Sequence, residues 1–289
     1  MKIFNIIIIF LIILPKAIFG DEYHYVNVLV GDRAATMGGS YKAISDDSTG
    51  CYYNPSGIAY AEGDSLTGSG NTYFLEEKTY ENWIEGNNLE ESGSSFIANY
   101  FSIIKKFGEY STCFSVVAPD TTFLDQETRI ANATDSNKSY YLSKYIEDIT
   151  YLMGPSIGFQ ISDDLSLGLT LYLYTREAKS SRANYVYMND STEGGTAEIQ
   201  LYTVKSFNEI AYKTIFGVQY KIIEKIVVGL TFDTTNVQYS EFKSDDFVIN
   251  TGTMYWSEKS YKSTTKGKFP YHLGFGATYY MSPSILYSL

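Results

Sequence analysis

Cysteine and histidine are almost absent from this 289-residue sequence. The only cysteines are Cys51 and Cys113, and the only histidines are His24 and His272. Two cysteines are too few for a disulfide scaffold, and their spacing matches no metal-site pattern. The sequence therefore offers no obvious histidine-based catalytic constellation and no obvious metal site. We predict that the protein is not an enzyme, has no catalytic residues and carries no cofactor.

Long hydrophobic runs are missing after the first 20 residues. Residues 1–20 begin with Lys2, continue with the apolar run Ile3–Leu14 and end in the small residue Gly20. This is the layout of a cleaved signal peptide. The run is shorter than a membrane-spanning helix, which needs about 20 residues. A retained N-terminal anchor is the alternative. If the rest of the chain lies in a membrane, it does so as strands and not as helices.

Positive charge is also scarce. The formal net charge is −11, and loss of Lys2 and Lys16 with the signal peptide changes it from −11 to −13. This excess of acidic residues argues against a nucleic-acid partner, which would require basic clusters. Tyrosine, in contrast, is abundant, with 28 residues. The aromatic girdles of a transmembrane barrel would account for it, and a general compositional bias is the alternative.

After residue 62 the sequence alternates in the manner of β-strands. In Leu165–Tyr174, leucine occupies every second position, and small residues, polar residues and tyrosines lie between the leucines. Strand side chains alternate between the two faces of a sheet, so one face is aliphatic and the other polar or small. We expect Leu169 to face lipid and Thr170 to face the lumen. The pattern predicts about eight or nine strands. Similar alternation recurs at 210–221, 226–233 and 273–280.

The connections between these strands favour a membrane barrel over a soluble β-sandwich. Short turns alternate with long polar segments. The turns lie at 105–109, 162–164, 222–224 and 281–283, and the polar segments at 75–94, 120–150, 176–196 and 234–268. Outer-membrane barrels have short periplasmic turns and long extracellular loops, an asymmetry that sandwiches do not require. We therefore predict an all-β fold, a transmembrane antiparallel β-barrel with long extracellular loops over residues 63–289.

The segment Gly31–Tyr60 is rich in turn-forming residues and has little apolar surface of its own. Its glycines allow close backbone approach, and its Asp, Asn and Pro residues fix tight turns. The segment must therefore pack against something larger. Its residue order resembles the N-terminal plug of the FadL/OmpP1/TodX-type outer-membrane transport proteins, a family that includes PorV-like and spirochaete branches. The matching residues are Gly31, Arg33, Ala34, Met37, Gly38, Gly39, Asp46, Asp47, Asn54, Pro55 and Gly57.

This resemblance implies a plug segment, residues 21–62, seated inside the barrel. It also implies passive uptake of hydrophobic compounds such as long-chain fatty acids across the cell outer membrane. Capture would occur at the outer loops and release on a shift of the plug, with a sideways exit through a gap in the wall. The implied partners are membrane lipid and a hydrophobic small molecule. The implied gating residues are Gly38, Gly39, Asp46, Asp47, Asn54, Pro55 and Gly57.

Two pairs of residues in or near the plug segment have alternative interpretations. Asp46 and Asp47 are adjacent carboxylates, which can do acid–base work, but in a turn-rich segment we interpret them as turn and capping residues. Cys51 and Cys113 would tie the plug to the wall if they paired in the oxidising periplasm. We favour two unpaired cysteines.

Residues 140–152 differ from their surroundings because apolar side chains recur there at helical spacing. This spacing predicts an amphipathic helix in an external loop. In the family that the plug segment resembles, such loop helices form the first low-affinity site for the substrate. A helix that covers the barrel mouth is the alternative. The predicted substrate-binding residues are Tyr141, Leu142, Tyr145 and Ile149.

The C-terminal end does not complete the expected barrel. The family resemblance implies about fourteen strands, and the last strand candidate follows the turn at 281–283 and ends at Leu289. We therefore expect a barrel truncated at its C-terminus, with a compact barrel closing at Met281 as the alternative. Two other functions stay open, a PorV-like barrel for protein secretion or surface attachment and a secreted β-sandwich adhesin. The sequence indicates no oligomeric state.

Overall fold

The computed structural model describes residues 29–84, 87–131, 138–190, 195–264, 267–282 and 285–289. The predicted signal peptide lies outside these residues. Two short α-helices, α1 (Asp32–Thr36) and α2 (Gly50–Tyr53), and the 3-10 helix Gly57–Tyr60 precede the strands. The strands are β1 (Ser65–Ile84), β2 (Asn87–Phe107), β3 (Tyr110–Ala131), β4 (Lys138–Gln160), β5 (Leu165–Asp190), β6 (Gly195–Ile223), β7 (Ile226–Asn250), β8 (Tyr255–Ser263), β9 (His272–Ser282) and β10 (Ile285–Ser288). In the described part of the chain, no helix is long and apolar enough to cross a membrane.

All ten strands belong to one antiparallel sheet, which confirms the predicted all-β antiparallel fold. The strand order is β1-β2-β3-β4-β5-β6-β7-β9-β10. Strand β7 has two partners, because its first part pairs with β9 and its last part pairs with β8. Within the described ranges, no pairing joins β1 to β10. A sandwich needs two packed sheets, so the single sheet does not match the sandwich alternative.

The two faces of the sheet differ in polarity as the alternation predicted. On β5, Leu167 and Leu171 are exposed, whereas Ser166, Thr170 and Tyr172 are buried. Side chains of one strand point alternately to the two faces, so the leucines form the outward face and the polar residues the inward face. The same division holds on β6, β7 and β9, where Phe216, Leu230 and Phe275 are outward and exposed. The predicted division of these strands into an apolar face and a polar or small face is confirmed.

The outward face carries a band of apolar side chains with a defined height. On β4 the band extends from Tyr151 to Phe159, and Glu147 lies above it. This length matches the roughly 9–11 residues that a tilted strand needs to cross a membrane. At the lower edge, the rings of Phe107, Tyr110 and Phe159 stack, with centroid distances of 5.2 and 5.7 Å. Stacked rings at the edge of an apolar band are typical of an interfacial girdle.

The predicted long polar loops are mostly strand. Strands β5 and β6 pair without interruption from Leu165 and Tyr220 to Asp190 and Gly195. A hydrogen-bonded ladder needs no apolar face, and cross-strand pairs of polar and aromatic side chains support it. Where both faces of a strand contact water, apolar and polar residues need not alternate. The sequence pattern therefore could not reveal these extensions of the strands. We call the parts of β4–β8 above the apolar band the arm.

The predicted helix over 140–152 is wrong, since these residues belong to β4. Tyr141, Tyr145 and Ile149 recur every four residues, and four is a multiple of the strand period of two as well as close to one helical turn. They therefore share the outward face of β4. Leu142 lies on the inward face and is buried. The four predicted substrate-binding residues do not form one surface.

Candidate functional site

The plug segment packs against the inward face of the sheet, and the sheet curls around it. Side chains of the wall donate hydrogen bonds to plug carbonyls from strands at both ends of the sheet. Because β2, β5, β6 and β10 all contact the same short segment, a flat sheet is excluded. The contacts are Asn99 Nδ2 to Leu29 O at 2.8 Å, Thr170 Oγ1 to Cys51 O at 2.7 Å, Gln219 Nε2 to Ala43 O at 2.8 Å and Ser288 Oγ to Ser40 O at 2.7 Å.

A row of wall glycines makes room for the plug backbone. A Cβ atom on Gly168 would lie 2.2 Å from the carbonyl carbon of Pro55, and one on Gly229 would lie 2.1 Å from the Lys42 oxygen. Real Cβ atoms do not approach other atoms so closely, so these wall positions require glycine. In the sequence, a glycine followed by an apolar residue and Gln or Thr recurs at 158, 168, 217 and 229, but this recurrence did not predict that these glycines face the plug. The row consists of Gly158, Gly168, Gly217, Gly229 and Gly276.

Asn54 ties the plug to the wall through its amide nitrogen, and its amide oxygen accepts a hydrogen bond within the plug. The fully buried side chain donates from Nδ2 to Lys42 O at 2.7 Å and to Val218 O of β6 at 3.2 Å. Its Oδ1 accepts from the Ser56 hydroxyl at 2.7 Å. A Cβ on Gly57 would lie 2.4 Å from Ser45 O, so the turn that follows Pro55 is packed within the plug itself.

The adjacent carboxylates organise a turn. Asp47 Oδ1 accepts from the Thr49 backbone N–H at 2.8 Å just before α2, and Asp47 Oδ2 accepts from the Tyr41 hydroxyl at 2.7 Å. Arg33 pairs with Asp46. Burial, together with the neighbouring Asp47 carboxylate, raises the pKa of the Tyr41 hydroxyl far above its usual range. Tyr41 therefore stays protonated and continues to donate.

Gly38 and Gly39 have a conformational role. Their φ values are +63° and +83°, a left-handed backbone that strongly favours glycine. A Cβ on Gly38 would meet nothing within 4 Å, and one on Gly39 would approach only the Leu29 side chain at 3.2 Å. The positive φ angles, and not close packing, therefore explain why Gly38 and Gly39 are glycines.

Cys51 and Cys113 form a disulfide, so the prediction of two unpaired cysteines is wrong. Their Cα atoms are 6.6 Å apart, within the usual range for a disulfide. Cys51 lies on α2 of the plug and Cys113 on the inward face of β3, and only the fold brings them together. The bond ties the plug covalently to the wall.

A cavity of about 420 Å³ lies above the plug. Its floor consists of plug residues, its sides come from β3–β7, and the connection before β9 covers part of it. Most of the larger lining side chains are aromatic or aliphatic. The plug contributes Leu29, Lys42, Tyr52 and Tyr53, the wall contributes Leu152, Tyr174 and Ile215, and the connection contributes Phe269 and Tyr271.

Most charges around the cavity are paired. Asp233 binds Lys213 Nζ and His272 Nδ1, each at 2.9 Å. Arg176 binds Asp148 through two hydrogen bonds of 3.0 and 2.7 Å. Lys42 differs, because its ammonium donates to the Thr231 hydroxyl at 3.0 Å and forms no ion pair with a described residue. Burial lowers the pKa of Lys42.

Beside the cavity, β2 and β3 lose their ladder pairing, and we call this unpaired stretch the slit. Pairing of the two strands runs from Phe107 and Tyr110 only as far as Tyr100 and Val117, and no described residues above that level pair. The slit begins next to Pro119, which lines the cavity and has no N–H to donate. Above the slit, Lys144 of β4 and Glu91 of β2 form an ion pair at 2.8 Å.

The predicted gating residues lie together in the plug segment, whereas the four predicted substrate-binding residues lie outside the cavity lining. Sequence reasoning missed Lys42, Tyr52 and Tyr53 as lining residues. They lie within the motif region, but no spacing signal distinguishes them from their neighbours.

No protein-family model and no curated protein sequence matches the chain. Among solved structures it is similar to the toluene transporter TodX of Pseudomonas putida, with a TM-score of 0.46 and 13% identity over 86% of this chain and 66% of that chain. It is also similar to a FadL homologue of Pseudomonas aeruginosa, with a TM-score of 0.34 and 9% identity over 86% of this chain and 85% of that chain. For the toluene transporter TbuX of Ralstonia pickettii the TM-score is 0.36, with 7% identity over 86% and 89%.

The chain thus spans slightly less than two thirds of the TodX chain. With TM-scores below 0.5, the transport roles of those proteins are not carried over to this chain.

Proposed function

We propose that the protein is an outer-membrane channel for the passive uptake of hydrophobic small molecules. The observation that carries the proposal is the cavity above the plug. Its volume falls within the range of about 300–1,000 Å³ that is usual for small-molecule sites, and its mostly apolar lining with a few placed polar groups is the usual composition. The apolar outward band supports a membrane location, in contact with lipid.

We further propose a long-chain carboxylate, such as a fatty acid, as one substrate. The aromatic and aliphatic lining suits a hydrocarbon chain. Lys42 is the ammonium in the cavity that forms no ion pair with a described residue, and a carboxylate would provide its missing counter-ion. Lys213 and Arg176 already have carboxylate partners, so they compete less well for the substrate.

The slit between β2 and β3 supports a sideways exit, since it begins beside Pro119 at the cavity wall. The plug would close the direct path to the periplasm, and its gating residues would hold it seated. The disulfide on α2 would keep that part of the plug in place, so a gating movement would involve residues 29–49. A secretion or surface-attachment role would instead require a protein partner, which co-purification tests.

The proposal is tested by oleate uptake in cells that lack their own fatty-acid transporter. Ile215→Trp places an indole in the cavity, and Leu167→Trp places one on the outward face of the same sheet as a matched control. We expect uptake with the wild type and the control, and a loss of most of that uptake with Ile215→Trp. No uptake by a protein with heat-modifiable gel mobility, which shows a folded barrel, would contradict the proposal.

A further inference from the structure

A second cavity, of about 280 Å³, lies on the outward face of the sheet across β4, β5 and β6. We call it the outer pocket. Successive side chains on one face of a strand are two residues apart, and the cross-strand register arranges those of the outer pocket in three rows. The lowest row is Tyr151, Thr175 and Ile210, the middle row is Ile149, Glu177 and Asn208, and the top row is Glu147 and Lys179.

The outer pocket crosses the upper edge of the apolar band. Tyr151 is the last residue of the band on β4, and Glu147 lies four residues above it, about 13 Å along the strand. Tyr151 and Ile210 are 42% and 43% exposed, so the lowest row contacts hydrocarbon, while the upper rows lie at the level of the lipid head groups. A membrane lipid beside the wall therefore has its chain next to the lowest row and its head group next to the charged rows.

The outward side chains of the outer pocket include one carboxylate more than they include cations. Lys179 forms an ion pair with Glu177 at 2.6 Å. Glu147 is directly opposite Lys179 in the register, but it accepts from the Tyr145 hydroxyl at 2.7 Å and has no ion pair within the described ranges. The neighbouring Asn208 amide can both donate and accept. The outward side of the pocket thus favours a ligand group that is positively charged and donates hydrogen bonds.

Two residues of the inward face, Arg176 and Glu209, also contribute to the lining of the outer pocket. The Arg176 guanidinium is bound to Asp148 through two hydrogen bonds, so it does not compensate the outward carboxylates. Glu209 is 1% exposed, and neither of its carboxyl oxygens has a hydrogen-bond partner among the described residues. An ionised Glu209 would increase the negative excess, and a protonated one would leave it unchanged. The preference for a cationic group holds in both cases.

We propose that the outer pocket binds a membrane lipid whose head group carries a primary ammonium beside a phosphate, as in phosphatidylethanolamine. A primary ammonium has three N–H donors, and it would donate to the Glu147 carboxylate and the Asn208 amide oxygen. The phosphate would accept from Lys179, which is exposed enough to keep its present partner. The first acyl carbons would pack on Tyr151 and Ile210. The inference depends on the membrane location of the apolar band and not on transport.

The test measures lipid retention by native mass spectrometry. The protein is equilibrated in mixed micelles with equal amounts of dioleoyl phosphatidylethanolamine, phosphatidylcholine and phosphatidylglycerol, in the presence of EDTA. Phosphatidylcholine has the same charge as phosphatidylethanolamine, but its quaternary ammonium has no N–H to donate. The pocket variant is Glu147→Gln. The control variant, Glu258→Gln, removes the same charge from an exposed position on β8, in the arm and away from the apolar band.

We expect the wild type and the control variant to retain phosphatidylethanolamine in preference to the other two lipids. In the pocket variant its retention should fall about 10-fold, the equivalent of one hydrogen bond between charged groups, while retention of phosphatidylcholine stays the same.

Equal retention of phosphatidylethanolamine and phosphatidylcholine by the wild type would overturn the inference. So would an unchanged preference in the pocket variant, an equal fall in the control variant, or lipid retention that requires added Ca²⁺. Oleate uptake by cells without this lipid preference would refute the inference alone. The lipid preference without oleate uptake would refute only the proposed transport function.

Discussion

Gly168 on β5 lies so close to Pro55 of the plug that its missing side chain is a condition of the fold. A Cβ atom there would be 2.2 Å from the Pro55 carbonyl carbon. Gly158, Gly217 and Gly229 on three other wall strands meet plug atoms in the same way, so the fit depends on close approach as well as on hydrogen bonds. At these wall positions a side chain would overlap the plug, so glycine is required there and not merely tolerated.

Gly168→Val should displace the plug and raise the permeability to small hydrophilic solutes. The added side chain overlaps plug backbone, which cannot move aside as a flexible side chain does. Liposome swelling with a small sugar measures the effect. Gly68→Val is the control, because a Cβ on Gly68 meets nothing within 4 Å. Equal swelling rates for the two folded variants would contradict the packing argument.

Asn54→Ala should loosen the plug without a steric clash. The change removes the donor of two part-buried hydrogen bonds, to the Lys42 and Val218 carbonyls, and an acceptor left unsatisfied costs about 1–3 kcal/mol. Hydrogen exchange of the backbone amides in 29–62 should become faster, while exchange in β5 and β6 stays slow. Ser65→Ala, at an exposed position at the start of β1, serves as a control for the general effect of an alanine substitution. Unchanged exchange in the plug would show that Asn54 is dispensable.

Loss of the disulfide should destabilise the seated plug. The bond closes a loop over a sequence separation of 62 residues, and disulfides of this kind contribute about 2–4 kcal/mol. Cys51→Ala with Cys113→Ala should increase hydrogen exchange in α2 and raise the frequency of transient openings in single-channel recordings. A reducing agent should have the same effect on the wild type and none on the variant. Identical recordings would mean that the hydrogen bonds alone hold the plug.

Leu169→Arg should cost about 2–4 kcal/mol if Leu169 lies near the bilayer midplane. The measurement is reversible unfolding from lipid vesicles. The matched inward control is Thr235→Arg, since Thr235 lines the cavity and an arginine there can reach water. Equal costs at the two positions would argue against a lipid-facing outer surface.

Alkaline pH should unseat the plug through Tyr41. The ordinary pKa of tyrosine is 10.0, and burial raises that of Tyr41 in the folded protein. The unfolded chain therefore releases this proton first, so the contribution of Tyr41 to stability is complete below pH 10 and is lost as the pH rises further. Plug-dependent solute leakage should be constant from neutral pH to about pH 9 and increase above pH 10. Tyr41→Phe should remove part of this dependence, and an identical pH profile for Tyr41→Phe would contradict the assignment.

The sequence predicted the faces of the sheet well and the contacts between distant segments poorly. Leu167 and Thr170 were placed correctly because burial of one face imposes a period of two. The alternation did not reveal that the Thr170 hydroxyl donates to Cys51 O of the plug. The helix over 140–152 was wrong because a four-residue spacing fits both periods. Pairing of Cys51 with Cys113 and the position of Lys42 depend on the path of the whole chain, which no local pattern contains.

The disulfide also constrains the order in which the protein can assemble. Cys51 precedes the sheet and Cys113 lies on its third strand, so the closed loop contains β1, β2 and their hairpin. Once the bond has formed, the plug travels with β3 and cannot be inserted into a finished wall as a separate piece. The later strands, from β4 to β10, then complete the wall around a plug that is already attached.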